Sequence, residues 1–221
     1  MGARITRWLI VALPLAACGP RPSPEERAQA IEAFATVEQV FQHPRCRNCH
    51  VPGDSPLQFD AGMPHGMGVA RGPQGHGAPG LPCTTCHGTA NSPASYGPEA
   101  PPGAPHWALP PPDHKMAWIG VPAAELCAMV KDKKRNGGRD FEALTKHVGE
   151  DSLVLWGWHP GGTRAPVSVP HDVFMARWKL WVAAGGPCPA GGVTSAGVTA
   201  PAAGARPDSV RSIATLPRRA P

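Results

Sequence analysis

Two short cysteine motifs constrain this chain more than any other feature. Both match Cys-x-x-Cys-His, the first over residues 46–50 and the second over residues 83–87. Two thiols at this spacing can form thioether bonds to the vinyl groups of a haem, and the adjacent histidine then reaches the iron. The pattern predicts two covalently bound haem c groups with thioethers at Cys46, Cys49, Cys83 and Cys86 and iron ligands at His50 and His87.

Two other kinds of site use paired cysteines. A four-thiolate zinc site would have to close over the long segment between Cys49 and Cys83, and zinc does not require a histidine after each pair. A thioredoxin-like motif needs a strand before the cysteines and a helix after them, but Gly- and Pro-rich sequence follows both pairs. The histidines therefore favour haem over both alternatives.

Proline and glycine restrict the fold, because the chain has 29 prolines and 26 glycines in 221 residues. Between about residues 51 and 112 they leave no stretch long enough for a confident helix or strand. Such a sequence buries little apolar surface of its own, so a cofactor is expected to fill part of the interior. We predict a small, mainly α, loop-rich fold: a cytochrome c-like dihaem domain with long Gly/Pro loops wrapped around haem.

The first residues predict export. Arg4 and Arg7 precede the apolar run 8–15, which is too short to span a bilayer permanently, so residues 1–17 are interpreted as a signal peptide. Residues 15–18 resemble the lipobox of bacterial lipoproteins, which makes Cys18 the predicted lipidation site. The alternative is an ordinary signal peptide with an incidental cysteine. We expect an exported protein in the periplasm, held at the membrane by a lipid anchor.

Local signals divide the remaining chain. Residues 18–30 are assigned to a tether, 31–189 to the dihaem c-type cytochrome domain and 190–221 to a disordered Ala/Gly/Pro tail. Ser23 and Glu26 form a capping-box pattern that predicts a helix to about Gln42. Further helices are predicted over residues 122–133, 140–148 and 171–184.

The cysteine count predicts a disulfide. Setting aside Cys18 and the four motif cysteines leaves Cys127 and Cys188, an even remainder in an oxidising compartment. Their pairing would join the end of the last helix to the helix near Cys127. The alternative is two separate buried thiols.

An electron-transfer haem usually has a second axial ligand, and methionine or histidine are the candidates. His65 lies between the motifs, Met116 follows a proline-rich stretch, and His147 lies late on a predicted helix. We predict that these three residues include both distal ligands. The other candidates are Met63, Met67, His76, His106 and His114. The aromatic cluster over residues 156–161 is expected either to stack against a porphyrin or to belong to the core.

A family resemblance is carried by six segments of the chain: residues 46–50, 72–83, 101–112 with Trp107, 136–139, 156–161 and 186–189. Over residues 34–189 the chain resembles bacterial dihaem c-type cytochrome-like proteins, which are often labelled isoquinoline 1-oxidoreductase subunits. That label implies an electron-accepting partner for a molybdenum hydroxylase, although this chain has nothing like a molybdopterin site.

The expected function is electron transfer between redox proteins rather than catalysis. A dihaem peroxidase-like enzyme and a haem-based redox or gas sensor are the alternatives, and both need an open or displaceable iron position. The net charge of +5 does not favour nucleic acid, because the basic residues are scattered and not interleaved with aromatic side chains. The expected partners are therefore redox proteins and the membrane.

Overall fold

Six α-helices and two small β-hairpins form the regular structure of residues 21–191, the part of the chain that the computed structural model describes. The predicted signal peptide, Cys18 and residues 192–221 lie outside it. In the described part no helix is long and apolar enough to cross a membrane. The helices are α1 (Pro24–Phe41), α2 (Pro44–Arg47), α3 (Ala123–Lys131), α4 (Phe141–Glu150), α5 (Ser152–Leu155) and α6 (His171–Ala183).

The first helix begins at the predicted capping box. The Ser23 amide donates to the Glu26 carboxylate at 2.7 Å, and the Glu26 amide donates to the Ser23 hydroxyl at 3.1 Å. These bonds satisfy two amides that a helix start leaves unpaired. Residues 24–30, which the sequence division assigned to the tether, are helical, and Ala30 is fully buried. The packed domain therefore extends N-terminal to residue 31.

The hydrophobic core lies between α1 and α6, with α3 and α4 packed around them. Phe34 and Val37 on α1 are fully buried, as are Trp178 and Trp181 on α6. The Phe34 and Trp181 ring centres are 5.1 Å apart. The three- and four-residue spacing of these side chains gives each helix one apolar face, as the sequence predicted.

A disulfide and two hydrogen bonds hold the segment that follows α6 against the helices. The predicted Cys127–Cys188 disulfide is present, and it joins α3 to the segment that follows α6. Lys131 Nζ donates to the Gly186 carbonyl at 2.7 Å, and Trp181 Nε1 donates to the Pro187 carbonyl at 3.0 Å. The chain after the last helix is therefore fixed against the core.

The segment between α2 and α3 is irregular, as predicted. Its strands are two residues long: β1 (Leu57–Gln58) pairs with β2 (Met63–Pro64), and β3 (Gly77–Ala78) pairs with β4 (Leu81–Pro82), both antiparallel. Short 3₁₀ turns make up the rest of its regular structure. The fold is therefore small, mainly helical and loop-rich.

A buried arginine side chain makes hydrogen bonds to backbone carbonyls within this irregular segment. The Arg71 side chain is 1% exposed and donates hydrogen bonds to the carbonyls of Val51, Gly53 and Pro110. Buried carbonyls require donors, and a guanidinium group supplies several at once. Arg71 therefore joins the start of the irregular segment to its end.

We predict that loss of the disulfide lowers the free energy of unfolding by about 4 kcal/mol, the chain-entropy value for closing a loop of this length. The two cysteines are separated by 61 residues. Urea denaturation of Cys127→Ala, Cys188→Ala and the double variant measures the effect. Either single substitution breaks the bond, so all three should lose similar stability. Losses that add in the double variant would contradict a single shared bond.

Candidate functional site

The first cysteine motif is held at the end of α1. Helix α2 follows α1 after a two-residue break and carries Cys46, while Cys49 and His50 lie just beyond it. Burial raises the pKa of the Cys46 thiol to about 12 and that of Cys49 to about 11. Redox-active thiols have lowered pKa values instead, and α1 rather than a strand precedes the motif, so the site does not fit the thioredoxin-like alternative.

The second motif lies in a tight turn after β4. Cys83 begins a 3₁₀ turn that runs to Thr85, and its amide donates to the His76 carbonyl at 2.9 Å. Burial raises the pKa of Cys83, whereas Cys86 is exposed. All four motif cysteines are unpaired, in contrast to the disulfide-bonded Cys127 and Cys188. Attachment of two haems through thioether bonds requires two pairs of free thiols, and the four motif cysteines are free.

The His50 ring is held at one edge and on one face. Its Nδ1 lies 3.0 Å from the Met116 carbonyl oxygen, and its ring stacks on Trp118 with centres 3.5 Å apart and planes 5° from parallel. Because a carbonyl only accepts, Nδ1 carries the proton and Nε2 keeps its lone pair. Burial lowers the pKa of His50 to about 3, and nearby His147 adds a smaller lowering. The imidazole is therefore neutral.

The His87 ring has the same kind of environment. Its Nδ1 donates to the Pro102 carbonyl at 2.7 Å, and its ring stacks on Trp107 with centres 4.4 Å apart and planes again 5° from parallel. Burial lowers the pKa of His87 as well. Proteins commonly fix a metal-ligating histidine by a carbonyl partner at Nδ1. In both motifs this arrangement leaves Nε2 as the ring nitrogen with a free lone pair.

Asn91 and Gly103 position the carbonyl that holds His87. Asn91 Oδ1 accepts from the Gly103 amide at 3.1 Å and from Trp156 Nε1 at 2.9 Å. A side chain at Gly103 would lie 2.1 Å from the Ala90 carbonyl oxygen, so only glycine fits there. The loop after the second motif and the segment that carries Pro102 are therefore in direct backbone contact.

A cavity of about 240 Å³ opens between the two motifs. Cys49 of the first motif lines it together with Cys83, Cys86 and His87 of the second. Because one cavity touches both motifs, the two motifs are neighbours in the fold. Its other lining side chains include His65, Met67, Trp107, Trp156, Arg45 and Arg164.

The two tryptophans of the aromatic cluster over residues 156–161 lie in different places, and stacking against a porphyrin stays a prediction. Trp156 lines the cavity and meets Trp107 edge to face at 4.9 Å. Trp158 instead packs against the helical core, and its Nε1 donates to the Val169 carbonyl at 2.7 Å. One tryptophan therefore faces the site and the other stabilises the fold.

The three candidate distal ligands lie in different places. His65 lies beside His87, with ring centres 6.2 Å apart. Met116 meets His50 through its backbone carbonyl, at the ring edge opposite Nε2, and its side chain packs against the core. His147 is on α4 with Nδ1 3.2 Å from Asp151. Ligation by Met116 or His147 stays a prediction.

The residues present fit a haem better than a metal ion alone. Within residues 21–191 no three His, Cys, Asp or Glu side chains converge as an ion site would need, which does not favour the zinc alternative. Near the first motif, Arg45 Nε and Trp118 Nε1 are buried without a hydrogen-bond partner in the described chain. Buried donors are rarely left unpaired, so a polar group from outside the chain, such as a haem carboxylate, fits here.

Sequence reasoning missed the side chains that support the two histidines. Trp107 was noted only within a resemblance, and Trp118, Arg45 and Arg71 were not singled out. A carbonyl and a tryptophan follow each motif at different distances along the chain, so no fixed spacing reveals them. Nothing in the sequence marked Arg45 or Arg71 as buried, because arginine is usually a surface residue.

No protein-family model, curated protein or solved structure matches this chain.

We predict that Gly103→Ala lowers the free energy of unfolding by about 1–3 kcal/mol, the range for forcing extra atoms into a packed site. The added methyl group would collide with the Ala90 and Gly88 carbonyls. Thermal or urea unfolding measures the loss. Gly53→Ala is the matched control, because a methyl group there meets nothing within 4 Å. Equal stability of the two variants would contradict the close contact.

Proposed function

We propose that this chain is a dihaem c-type cytochrome that carries electrons between redox proteins. It acts either as a shuttle or as the electron-transfer subunit of an oxidoreductase, the role that the family resemblance implies. The observation that carries the proposal is the repeated arrangement at His50 and His87. In both motifs the ring Nδ1 donates to a carbonyl, a tryptophan covers one face, and Nε2 has no hydrogen bond to any residue in the described part of the chain.

The chain's own residues set the conditions for such a site. Bound haem supplies an iron that changes oxidation state by one electron. Cys46, Cys49, Cys83 and Cys86 would hold the groups covalently, and His50 and His87 would ligate the irons. The hydrogen bonds at Nδ1 fix both rings before ligation, which keeps reorganisation small. The shared cavity brings the two sites together, as transfer between them requires.

Export of the protein is part of the proposal. Cytochrome c maturation and stable disulfides both belong to compartments outside the cytoplasm, and the Cys127–Cys188 bond supports that location. Lipidation of Cys18 would hold the protein at the periplasmic face of a membrane. A lipid anchor would keep it close to membrane-bound redox partners.

The first test is haem content. Expressed with a haem-attachment system in the periplasm, the protein should gain the mass of two haems and show a c-type haemochrome spectrum. Cys46→Ala/Cys49→Ala and Cys83→Ala/Cys86→Ala should each lose one haem, and Cys127→Ala/Cys188→Ala, the matched control, should keep both. A colourless wild-type protein of unmodified mass would overturn the proposal.

The second test separates electron transfer from the enzyme and sensor alternatives. If both irons have two protein ligands, the reduced protein binds no carbon monoxide and the oxidised protein does not react with peroxide. A potentiometric titration should show two one-electron steps. Carbon monoxide binding or peroxide turnover by the wild-type protein would favour a sensor or a peroxidase-like enzyme instead.

A further inference from the structure

The first motif positions a histidine at the second one. The Asn48 carbonyl accepts from the Leu57 amide at 2.8 Å, and the buried Asn48 side chain donates to the Phe59 carbonyl at 2.8 Å. Both bonds hold the β1–β2 hairpin against the first motif. At the end of β2 the His65 amide donates to the Pro56 carbonyl at 3.1 Å, which extends the pairing of the hairpin. His65 is therefore fixed by the hairpin rather than free to reach either site.

The His65 ring, like the rings of the two motif histidines, has its Nδ1 against a backbone carbonyl. Its Nδ1 lies 3.0 Å from the Gly66 carbonyl oxygen, so Nδ1 carries the proton. His87 uses its own Nδ1 in the same way with Pro102. Neither His65 nor His87 has a hydrogen bond at Nε2 within the described residues. Both rings line the cavity that Cys83 and Cys86 also line.

The spacing of the two rings matches ligation of one iron from opposite sides. Their centres are 6.2 Å apart and their planes are inclined by 64°. A metal–imidazole bond is about 2.0 Å and the ligating nitrogen lies roughly 1.1 Å from its ring centre, so two trans imidazoles have centres about 6.2 Å apart. We propose that His65 is the second axial ligand of the haem attached at Cys83 and Cys86, opposite His87. This inference rests on the proposed function.

Two other arrangements of the same residues are weaker. An edge-to-face ring pair also spans about 4.5–7 Å, but such a contact does not account for both rings lining the cavity beside Cys83 and Cys86. Met67 lines the same cavity, yet this residue is 79% exposed. Ligation by His65 would use the Nε2 atoms of both rings.

This ligand pair has consequences for the second site. With two protein ligands its iron is closed to small molecules, which suits electron transfer. Two histidines also give a lower reduction potential than a histidine and a methionine. The second site should therefore behave as a low-spin, low-potential centre.

The test removes the imidazole and follows the spectrum of the matured protein. In His65→Ala one of the two haems should become high-spin and, when reduced, bind carbon monoxide, as measured by visible absorption and electron paramagnetic resonance. Free imidazole should restore the low-spin spectrum, which a merely structural role would not allow. His65→Met keeps a potential ligand in place, and the potential of one haem should rise.

Two further variants complete the experiment. His76→Ala, the control, removes an exposed histidine between the motifs and should leave the spectrum unchanged. Met67→Leu removes the thioether that lines the cavity and tests it as the competing ligand. If His65→Ala keeps two low-spin haems with no carbon monoxide binding, or if Met67→Leu produces the high-spin haem, the assignment of His65 is wrong. Failure of the wild-type protein to attach haem would overturn the proposed function instead.

Discussion

Hydrogen bonds from side chains to backbone carbonyls hold this structure together where regular secondary structure is missing. A backbone carbonyl that is buried in an irregular segment needs a donor, and neighbouring strands or helical turns do not supply one here. Arg71, Asn48 and Asn91 each donate to carbonyls in the segment between α2 and α3 or in the turns that contact it. His50 and His87 donate in the same way. The motif histidines are thus part of what orders the chain.

The same bonds therefore serve the fold and the site. A histidine that donates from Nδ1 to stabilise a loop is left with its only ring lone pair on Nε2, so the packing determines which nitrogen could ligate a metal. The two sites differ in the residues that their tryptophans pack against. Trp118, which covers His50, also stacks on Phe41 of α1 with centres 4.3 Å apart. Trp107, which covers His87, meets Trp156 and is not part of the hydrophobic core cluster of the described residues. The first site is anchored on the helical core and the second on loops.

Much of the fold was readable from the sequence because its helices carry local signals. The capping box at Ser23, the apolar spacing on α1 and α6 and the turn residues around α3 led to four predicted helices, whose ends lie within about two residues of those of α1, α3, α4 and α6. The one-turn helices α2 and α5 were not predicted, because four residues are too few for an apolar period to repeat. The disulfide followed from counting cysteines. The absence of long elements between residues 51 and 112 was equally clear from proline and glycine. Each of these inferences depends on residues close together in the chain or on composition.

The partners of the site could not be read in this way. Met116 and Pro102 contribute carbonyls, which every residue has, so nothing in their side chains marks them. His65 was one of several candidate histidines and methionines, and only the β1–β2 hairpin distinguishes it by placing it next to His87. Arg71 is buried because three carbonyls converge on it. These contacts depend on the path of the irregular chain, which local sequence does not determine.

The path of that chain makes the two motifs interdependent. Asn48 lies inside the first motif and holds the hairpin whose end places His65 at the second. Cys49 of the first motif lines the cavity of the second. A repeat of two self-contained modules would keep each motif and the contacts that support it within its own segment, and this chain does not. A cut between residues 65 and 83 would separate His87 from the hairpin that faces it, and a cut before residue 57 would separate that hairpin from Asn48, so two independent halves are not expected to fold from this sequence.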